Sequence, residues 1–335
     1  MAFANEVVGQ STQGVALRNH LIRDAIHQAL YDRMKADDSV VILGEGAVMK
    51  MHYDAPAIER EFPERIVTLP ISEDGNTNFA VGMALLGVKP VVDVITSDFL
   101  FRTMDSICNT AAKINFVSGE SDSKKTIVVR AEFLMAGPTT GQRLESLFTH
   151  VPGLDVVIPS TPLDARGLMT TALTKGGVTI FFEDRMILDS TTKKADLAPT
   201  ESVPIAFGRA RVRHEDSGVT IVSYASTLRQ IETLVDSKKV RCDLIDLRSI
   251  YPVDYETIFS SVRRTGRLLI VEPDVTYAGV GAEIAATVSE KCWEELEKPV
   301  RRLGTPRETI PASTALHKYF VPSDSQILSA VRALV

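Results

Sequence analysis

Cysteine is scarce: three residues in 335, Cys108, Cys242 and Cys292, stand far apart with no Cys-x-x-Cys pair and no histidine at ligand spacing. That distribution argues against a disulfide framework and a zinc site. Nowhere do eighteen apolar residues run uninterrupted, so the sequence predicts no membrane-spanning helix. The first thirty residues carry Asn, Gln, Ser, His and Arg without an apolar core segment. The expected compartment is therefore the cytoplasm, or an organelle matrix after loss of a transit peptide. Excess charge is small, with 37 Lys and Arg against 43 Asp and Glu and no block of one sign, which argues against a basic nucleic-acid-binding face. Low-complexity tracts, internal repeats, a Gly-x-Ser-x-Gly elbow, a His-Glu-x-x-His pair and an EF-hand loop are all lacking.

What remains is a globular composition, 44% hydrophobic and 24% charged, long enough for two domains of ordinary size. Apolar residues recur at helical spacing from Leu17 through Leu21, Ile22, Ala25, Ile26, Ala29 and Leu30 to Met34. Predominantly apolar, β-branched runs at 40–43, 66–69, 91–95, 126–129, 156–158 and 178–182 alternate with helical patterns at 78–86, 104–116 and 162–174. That alternation predicts a parallel sheet covered on both faces. The stretch 189–203 has no apolar period and reads as a linker. Beyond it the alternation restarts, with strands at 219–223, 242–247 and 268–271 and helices at 228–235 and 255–263. The expected fold is α/β with two doubly wound domains, residues 1–190 and 205–335, joined by a linker at 191–204.

Local motifs decide little. Ser72-Glu73-Asp74-Gly75-Asn76 reads either as a phosphate-binding turn or as an acidic, capped helix start, and it lacks both the Gly-x-Gly-x-x-Gly spacing and a P-loop lysine. Tyr277-Ala278-Gly279-Val280-Gly281-Ala282-Glu283 lies too far from its strand for a dinucleotide fingerprint and reads as a close-packed helix start. The six histidines have no local partner at a telling spacing.

Longer strings carry more. Leu69-Pro70-Ile71-Ser72-Glu73, Gly87-Val88-Lys89-Pro90-Val91-Val92, Ser97-Asp98-Phe99-Leu100 and Met104-Asp105, with Asn109 and Ala111-Ala112-Lys113, are followed by Val151-Pro152-Gly153-Leu154 and Pro159-Ser160-Thr161-Pro162. Ile245-Asp246-Leu247-Arg248, Gly279-Val280-Gly281-Ala282-Glu283-Ile284 and Tyr319-Phe320-Val321-Pro322 complete the series. In this order, from about Ala16 to the C-terminus, they resemble the β chain of thiamine-diphosphate-dependent 2-oxoacid dehydrogenases. The resemblance implies a transketolase-like pyrimidine-binding domain followed by a transketolase C-terminal domain. It also implies an α subunit carrying the Gly-Asp-Gly motif that holds magnesium and the diphosphate, a motif this sequence lacks, in an assembly of two α and two β chains. The implied activity is decarboxylation of a 2-oxoacid and transfer of the acyl unit to a lipoyl group.

By the same resemblance Glu73 would hydrogen-bond the ring nitrogen of the aminopyrimidine and favour its imino tautomer. Ile71 would line the pyrimidine pocket and Phe99 would pack on the ring, although Phe99 also reads as an ordinary core aromatic. Two positions depart from the family. Thr140, in Gly137-Pro138-Thr139-Thr140-Gly141-Gln142, stands where a histidine assists acyl transfer, and a hydroxyl cannot shuttle protons near neutral pH as imidazole does. Arg102 replaces Pro or Gln near the cofactor, to bind a phosphate or carboxylate of the substrate or to pair with an acid of the partner. These departures raise a second reading, transfer of a two-carbon ketol unit from a ketose phosphate to a lipoyl or carrier-protein acceptor. A third is a catalytically silent stabilising subunit. The family's main-chain site for a monovalent cation, such as potassium, would fall at Ile127, Ala172, Leu173, Lys175 and Gly177, with Lys175 replacing the usual acidic side chain.

Overall fold

The computed structural model describes residues 21–45, 56–119, 125–190, 192–199 and 201–335. Leu17, where the expected opening helix begins, and His20 and His52 lie outside the described residues. Helix α1 (Ile22–Ala36) buries Ile22, Ala25, Ile26, Ala29, Leu30 and Met34, the stripe that helical spacing predicts. It lies against helix α3 (Pro162–Thr174), and the two cover one face of a seven-stranded sheet.

Chain order builds that sheet from β1 (Val40–Glu45), β2 (Ile66–Leu69), β3 (Lys89–Thr96), β4 (Thr126–Phe133), β5 (Leu154–Val157) and β6 (Gly177–Asp184). In space the order is β5-β6-β4-β3-β1-β2, all parallel. All eight residues of β4 are buried, as a central parallel strand requires. Helix α2 (Glu73–Leu85) packs on β3. Helix α3 has a well-defined start: Thr161 Oγ1 accepts the Asp164 N–H at 3.2 Å and Pro162 occupies the first turn.

A five-stranded sheet follows, built from β7 (Arg211–His214), β8 (Thr220–Ser223), β9 (Asp243–Asp246), β11 (Leu268–Val275) and β12 (Arg301–Thr305) in the order β12-β11-β8-β9-β7. It is parallel except for edge strand β7. Helices α4 (Ala225–Asp236), α5 (Tyr255–Thr265), α6 (Val280–Lys291) and α7 (Asp324–Leu334) flank it. The α6 start read from the glycine run is present, with Gly279 at the N-cap.

Strand β10 (Ser249–Tyr251) crosses over. It leaves the second sheet and pairs antiparallel with β5 at the edge of the first, Ser249 opposite Val157. One hydrophobic core consequently runs through both units, joining Val156, Ile158 and Leu168 to Val222, Ile245, Leu247 and Ile270. Among the described residues no helix is long and apolar enough to cross a membrane.

Candidate functional site

The carboxyl ends of β1, β2, β3 and β4 open onto one edge of the first sheet, the edge where open α/β folds bind ligands. Strand β2 ends at Leu69, Pro70 and Ile71 carry the chain across, and Glu73 is the first residue of α2. Glu73 is 7% exposed, whereas Ile71, two residues earlier, is 80% exposed. Asn76 braces this crossing: its Nδ2 donates to the Pro70 carbonyl at 3.1 Å and its N–H to the Ser72 carbonyl at 2.7 Å. A buried carboxylate is thus held on a fixed helix start beside an aliphatic side chain that this chain leaves uncovered.

Arg102 provides Glu73 with a counter-ion. It lies on the 3-10 turn Ser97–Thr103 after β3, and its Nε stands 3.2 Å from Glu73 Oε2 while its side chain remains 72% exposed. In this chain Arg102 thus pairs internally with the very acid that the resemblance assigns to the pyrimidine. Two further acids crowd the same corner. The Glu45 carboxyl, at the end of β1, is pushed up by burial and then by the charges of Glu73 and Asp93. Its Oε1 is buried without a hydrogen-bond partner among the described residues. Asp93 faces Arg130 at 3.6 Å.

Phe99 is half-buried and packs against the main core. Thr140 is half-buried on the loop after β4, where its N–H donates to the Gly137 carbonyl at 3.3 Å and its carbonyl accepts the Ala136 N–H at 3.2 Å. That loop is tied to the Arg102 turn by a clamp that sequence reasoning did not single out. Both Asp98 oxygens accept the Gln142 N–H at 3.1–3.2 Å, Oδ1 also accepts from Gln142 Nε2 at 3.2 Å, and Ser97 Oγ donates to the Gln142 carbonyl at 2.6 Å. Burial pushes the Asp98 carboxyl up, and these bonds from the loop partly offset it. The available signal was the string Ser97-Asp98-Phe99 itself, since a buried acid after a strand needs donors from somewhere. On the loop's other side Phe320 and Ile310 pack against Phe133 and Met135.

The positions expected for a monovalent cation meet at the opposite edge of the sheet. Ala172 and Leu173 lie in the last turn of α3, Lys175 caps it, Gly177 begins β6 and Ile127 is the second residue of β4, with Thr126 opposite Gly177. The Lys175 ammonium is ion-paired with Asp155 and sits 5.1 Å from the Phe207 ring centre. Among the described residues no group of three or more His, Cys, Asp or Glu side chains forms a metal cluster.

Comparison with known proteins resolves the family. Residues 20–190 match the transketolase pyrimidine binding domain and residues 208–327 the transketolase C-terminal domain. The pyruvate dehydrogenase E1 component subunit beta of Rickettsia felis is 33% identical over 320 residues, covering 93% of this chain and 97% of that protein. The chain belongs to the β subunits of 2-oxoacid dehydrogenases. Within that family the 2-oxoisovalerate dehydrogenase subunit beta of Bacillus subtilis is 30% identical over 325 residues, covering 93% of this chain and 97% of its own length. The fold extends further: a split gene transketolase, solved as an inactive beta4 tetramer, superposes with a TM-score of 0.76 at 20% identity, covering 94% of this chain and 98% of that one. Leishmania mexicana transketolase gives a TM-score of 0.69 at 16% identity, and this chain spans 45% of it.

Proposed function

We propose that this β subunit works with an α subunit as a thiamine-diphosphate-dependent enzyme that decarboxylates a 2-oxoacid and passes the acyl unit to a lipoyl group. The observation that carries this reading is the buried Glu73 carboxylate at the head of α2, beside an Ile71 that is 80% exposed. Such a site is half built: a carboxylate and an aliphatic wall await a second chain. The α subunit would cover Ile71 and bring the Gly-Asp-Gly motif with magnesium, in an assembly of two α and two β chains.

When bound, thiamine diphosphate supplies the acidic carbon that attacks the 2-oxo group and the electron sink for loss of carbon dioxide. The residues of this chain would prepare that chemistry. Glu73 would share a proton with the pyrimidine ring nitrogen, and Phe99 and Ile71 would hold the ring's faces. To do so Glu73 must exchange Arg102 for the ring. The guanidinium, on a side chain already 72% exposed, is then free to take the carboxylate of a 2-oxoacid in a two-point contact. Thr140 can donate or accept a hydrogen bond at the reacting centre, and the Asp98–Gln142 clamp fixes its loop against the Arg102 turn. Main-chain carbonyls near Ile127, Ala172, Leu173, Lys175 and Gly177 would hold potassium, with the Lys175 charge drawn off by Asp155.

The test is reconstitution with the α subunit, followed by turnover of pyruvate, 3-methyl-2-oxobutanoate and a ketose phosphate side by side. A 2-oxoacid is the expected substrate, and Glu73→Gln should lower kcat at least about 100-fold, the usual scale for losing a positioned proton-transfer group. Turnover of the ketose phosphate alone would replace this reading with ketol transfer. Full activity in Glu73→Gln would leave the chain a stabilising subunit.

A further inference from the structure

A cleft of about 610 Å³ lies between the two sheets. It is bordered by residues that follow the carboxyl ends of β4, β6, β8, β11 and β12, so strand ends from both sheets converge on it. Volume and position suit a small-molecule site. Its walls mix polar groups with an apolar and aromatic portion that includes Phe133, Tyr277, Ile310 and Phe320. Glu73, Ile71, Phe99, Arg102 and Thr140 do not line it.

One acid reaches this cleft from the interior. Asp274 is 6% exposed and lines the cleft. Its Oδ1 accepts the Val275 N–H at 2.6 Å, and its other oxygen has no hydrogen-bond partner among the described residues. Behind it stand Glu145 and Glu272, each with one buried oxygen, Oε2 and Oε1, that lacks a partner among the described residues. Arg143 also borders the cleft but is committed elsewhere: Nη1 pairs with Glu145 at 2.9 Å, Nη2 with Asp184 at 2.5 Å, and its guanidinium lies 4.0 Å from the Phe133 ring centre. The interior behind the cleft therefore holds more acid groups than basic ones.

We propose that this cleft is a binding site for a small amphipathic organic cation, a primary ammonium or guanidinium on an apolar body, whose charged end pairs with Asp274. An anion is disfavoured because Arg143, the arginine on the inner wall, is already paired with Glu145 and Asp184. A bare metal ion is poorly suited, since it needs several converging ligands and, among the described residues, no group of three or more His, Cys, Asp or Glu side chains gathers there. Aromatic faces favour cations, as Arg307 at the mouth illustrates with its guanidinium 5.1 Å from the Tyr277 ring centre.

Proton linkage gives the proposal a signature of its own. Burial and then the charge of Glu145 hold the Asp274 carboxyl above its ordinary range, with Glu272 adding to the effect and Arg143 opposing it. Glu272 is itself pushed up to about 7 by burial, against a hydrogen bond from Gly281 and the charge of Arg302. Tyr224, a further titratable group against this cluster, is buried and held well above its ordinary value, while Arg307, Glu308 and Tyr277 face the cleft from its mouth. A cation docking on Asp274 converts its carboxyl to a carboxylate and releases the proton to the buffer.

The experiment is calorimetric titration of 2-phenylethylamine into the full-length chain at pH 7, in phosphate and in HEPES, with 3-phenylpropionate as the matched anion. It reads binding rather than turnover, so its outcome is independent of the reaction proposed above. The amine should bind saturably and at least about tenfold more tightly than the anion, with an enthalpy that differs between the buffers. Asp274→Asn should weaken amine binding at least about tenfold, which is about 1.4 kcal/mol, without lowering Tm. Glu308→Gln, at the exposed mouth, should stay within about threefold. Equal binding of the anion, unchanged affinity in Asp274→Asn, buffer-independent enthalpy, or no saturable amine binding would each overturn the proposal.

Discussion

Glu272 shows how one buried side chain sets a pH dependence. Its carboxyl stands at the end of an apolar strand segment, accepts the Gly281 N–H at 2.9 Å through Oε2, and leaves Oε1 unpartnered among the described residues. Burial is the main reason its pKa rises to about 7. Raised in the folded state, it contributes stability that is full below the unfolded value and lost as pH climbs through about 7. Glu132 is likewise pushed up to about 7, by burial and then by Glu183, and acts in the same window and direction. Each can cost up to about 1.4 kcal/mol per pH unit. Urea unfolding at pH 5.5, 6.5 and 8 should show falling stability. Glu272→Gln keeps the acceptor for Gly281 without the charge, so it should flatten the slope and gain about 1–2 kcal/mol over wild type at pH 8. Parallel slopes for the two proteins would remove Glu272 as the cause.

Among the elements, periodicity located the sheets better than it located their edges. Strand 66–69 and helix 162–174 appear with the expected bounds, because a β-branched run or a Thr-Pro start leaves little choice. The helix expected at 104–116 is instead a chain of short pieces: a π turn at Asp105–Thr110, a 3-10 turn at Ala111–Lys113 and an α turn at Ile114–Val117. Its small polar residues compete with helical backbone bonding. Asn109 Nδ2 donates to Asp105 Oδ1 at 2.6 Å, and Asn78 Nδ2 reaches across to Ser106 Oγ at 2.8 Å. Helix α2 begins five residues before the expected 78, at Glu73, because its acidic opening hides the apolar period. Edge strands β7, β10 and β12 were missed, being short and lacking the apolar runs that mark interior strands.

Of the candidate site, the string context singled out Glu73, which the structure buries at the head of α2. Its pairing with Arg102 and the Asp98–Gln142 clamp were not legible, since each joins residues 29 and 44 positions apart. Gly153 was also legible as part of a string, and the structure supplies its physical reason. Gly153 has φ +100°, and an added Cβ would stand 2.0 Å from the Ala112 carbonyl oxygen of those broken turns. Gly153→Ala should therefore destabilise the fold by about 3 kcal/mol or more, through collision with main chain as well as strain. Gly87→Ala is the control, because Gly87 has φ +88° but nothing within 4 Å of an added Cβ. It should cost about 1–2 kcal/mol from backbone strain alone. Equal losses in the two variants, measured by urea unfolding, would show that the Ala112 contact is not what makes Gly153 necessary.

For the whole molecule, two α/β units in sequence would suggest two independent folding units, and the path of β10 argues otherwise. Residues 249–251 complete the first sheet at the β5 edge from a segment that belongs to the second half of the chain. Polar links reinforce the crossing: Ser160 Oγ donates to Asp246 Oδ1 at 2.9 Å, and Arg248 Nη1 pairs with Asp164 at 3.1 Å. All four groups are buried, so removing one half would strand the partners of the other in place of satisfying them in water-free packing. The same cut would open the shared core at Val156, Ile158 and Ile245. The intact chain should unfold by heat in one transition, with far-ultraviolet circular dichroism and intrinsic fluorescence superimposing. A fragment ending at residue 204 should lack cooperative unfolding and bind a hydrophobic dye, because its β5 edge and the apolar face beneath are uncovered. Two resolved transitions in the intact chain, together with a soluble, cooperatively folding fragment, would show that β10 decorates the first sheet without holding it together.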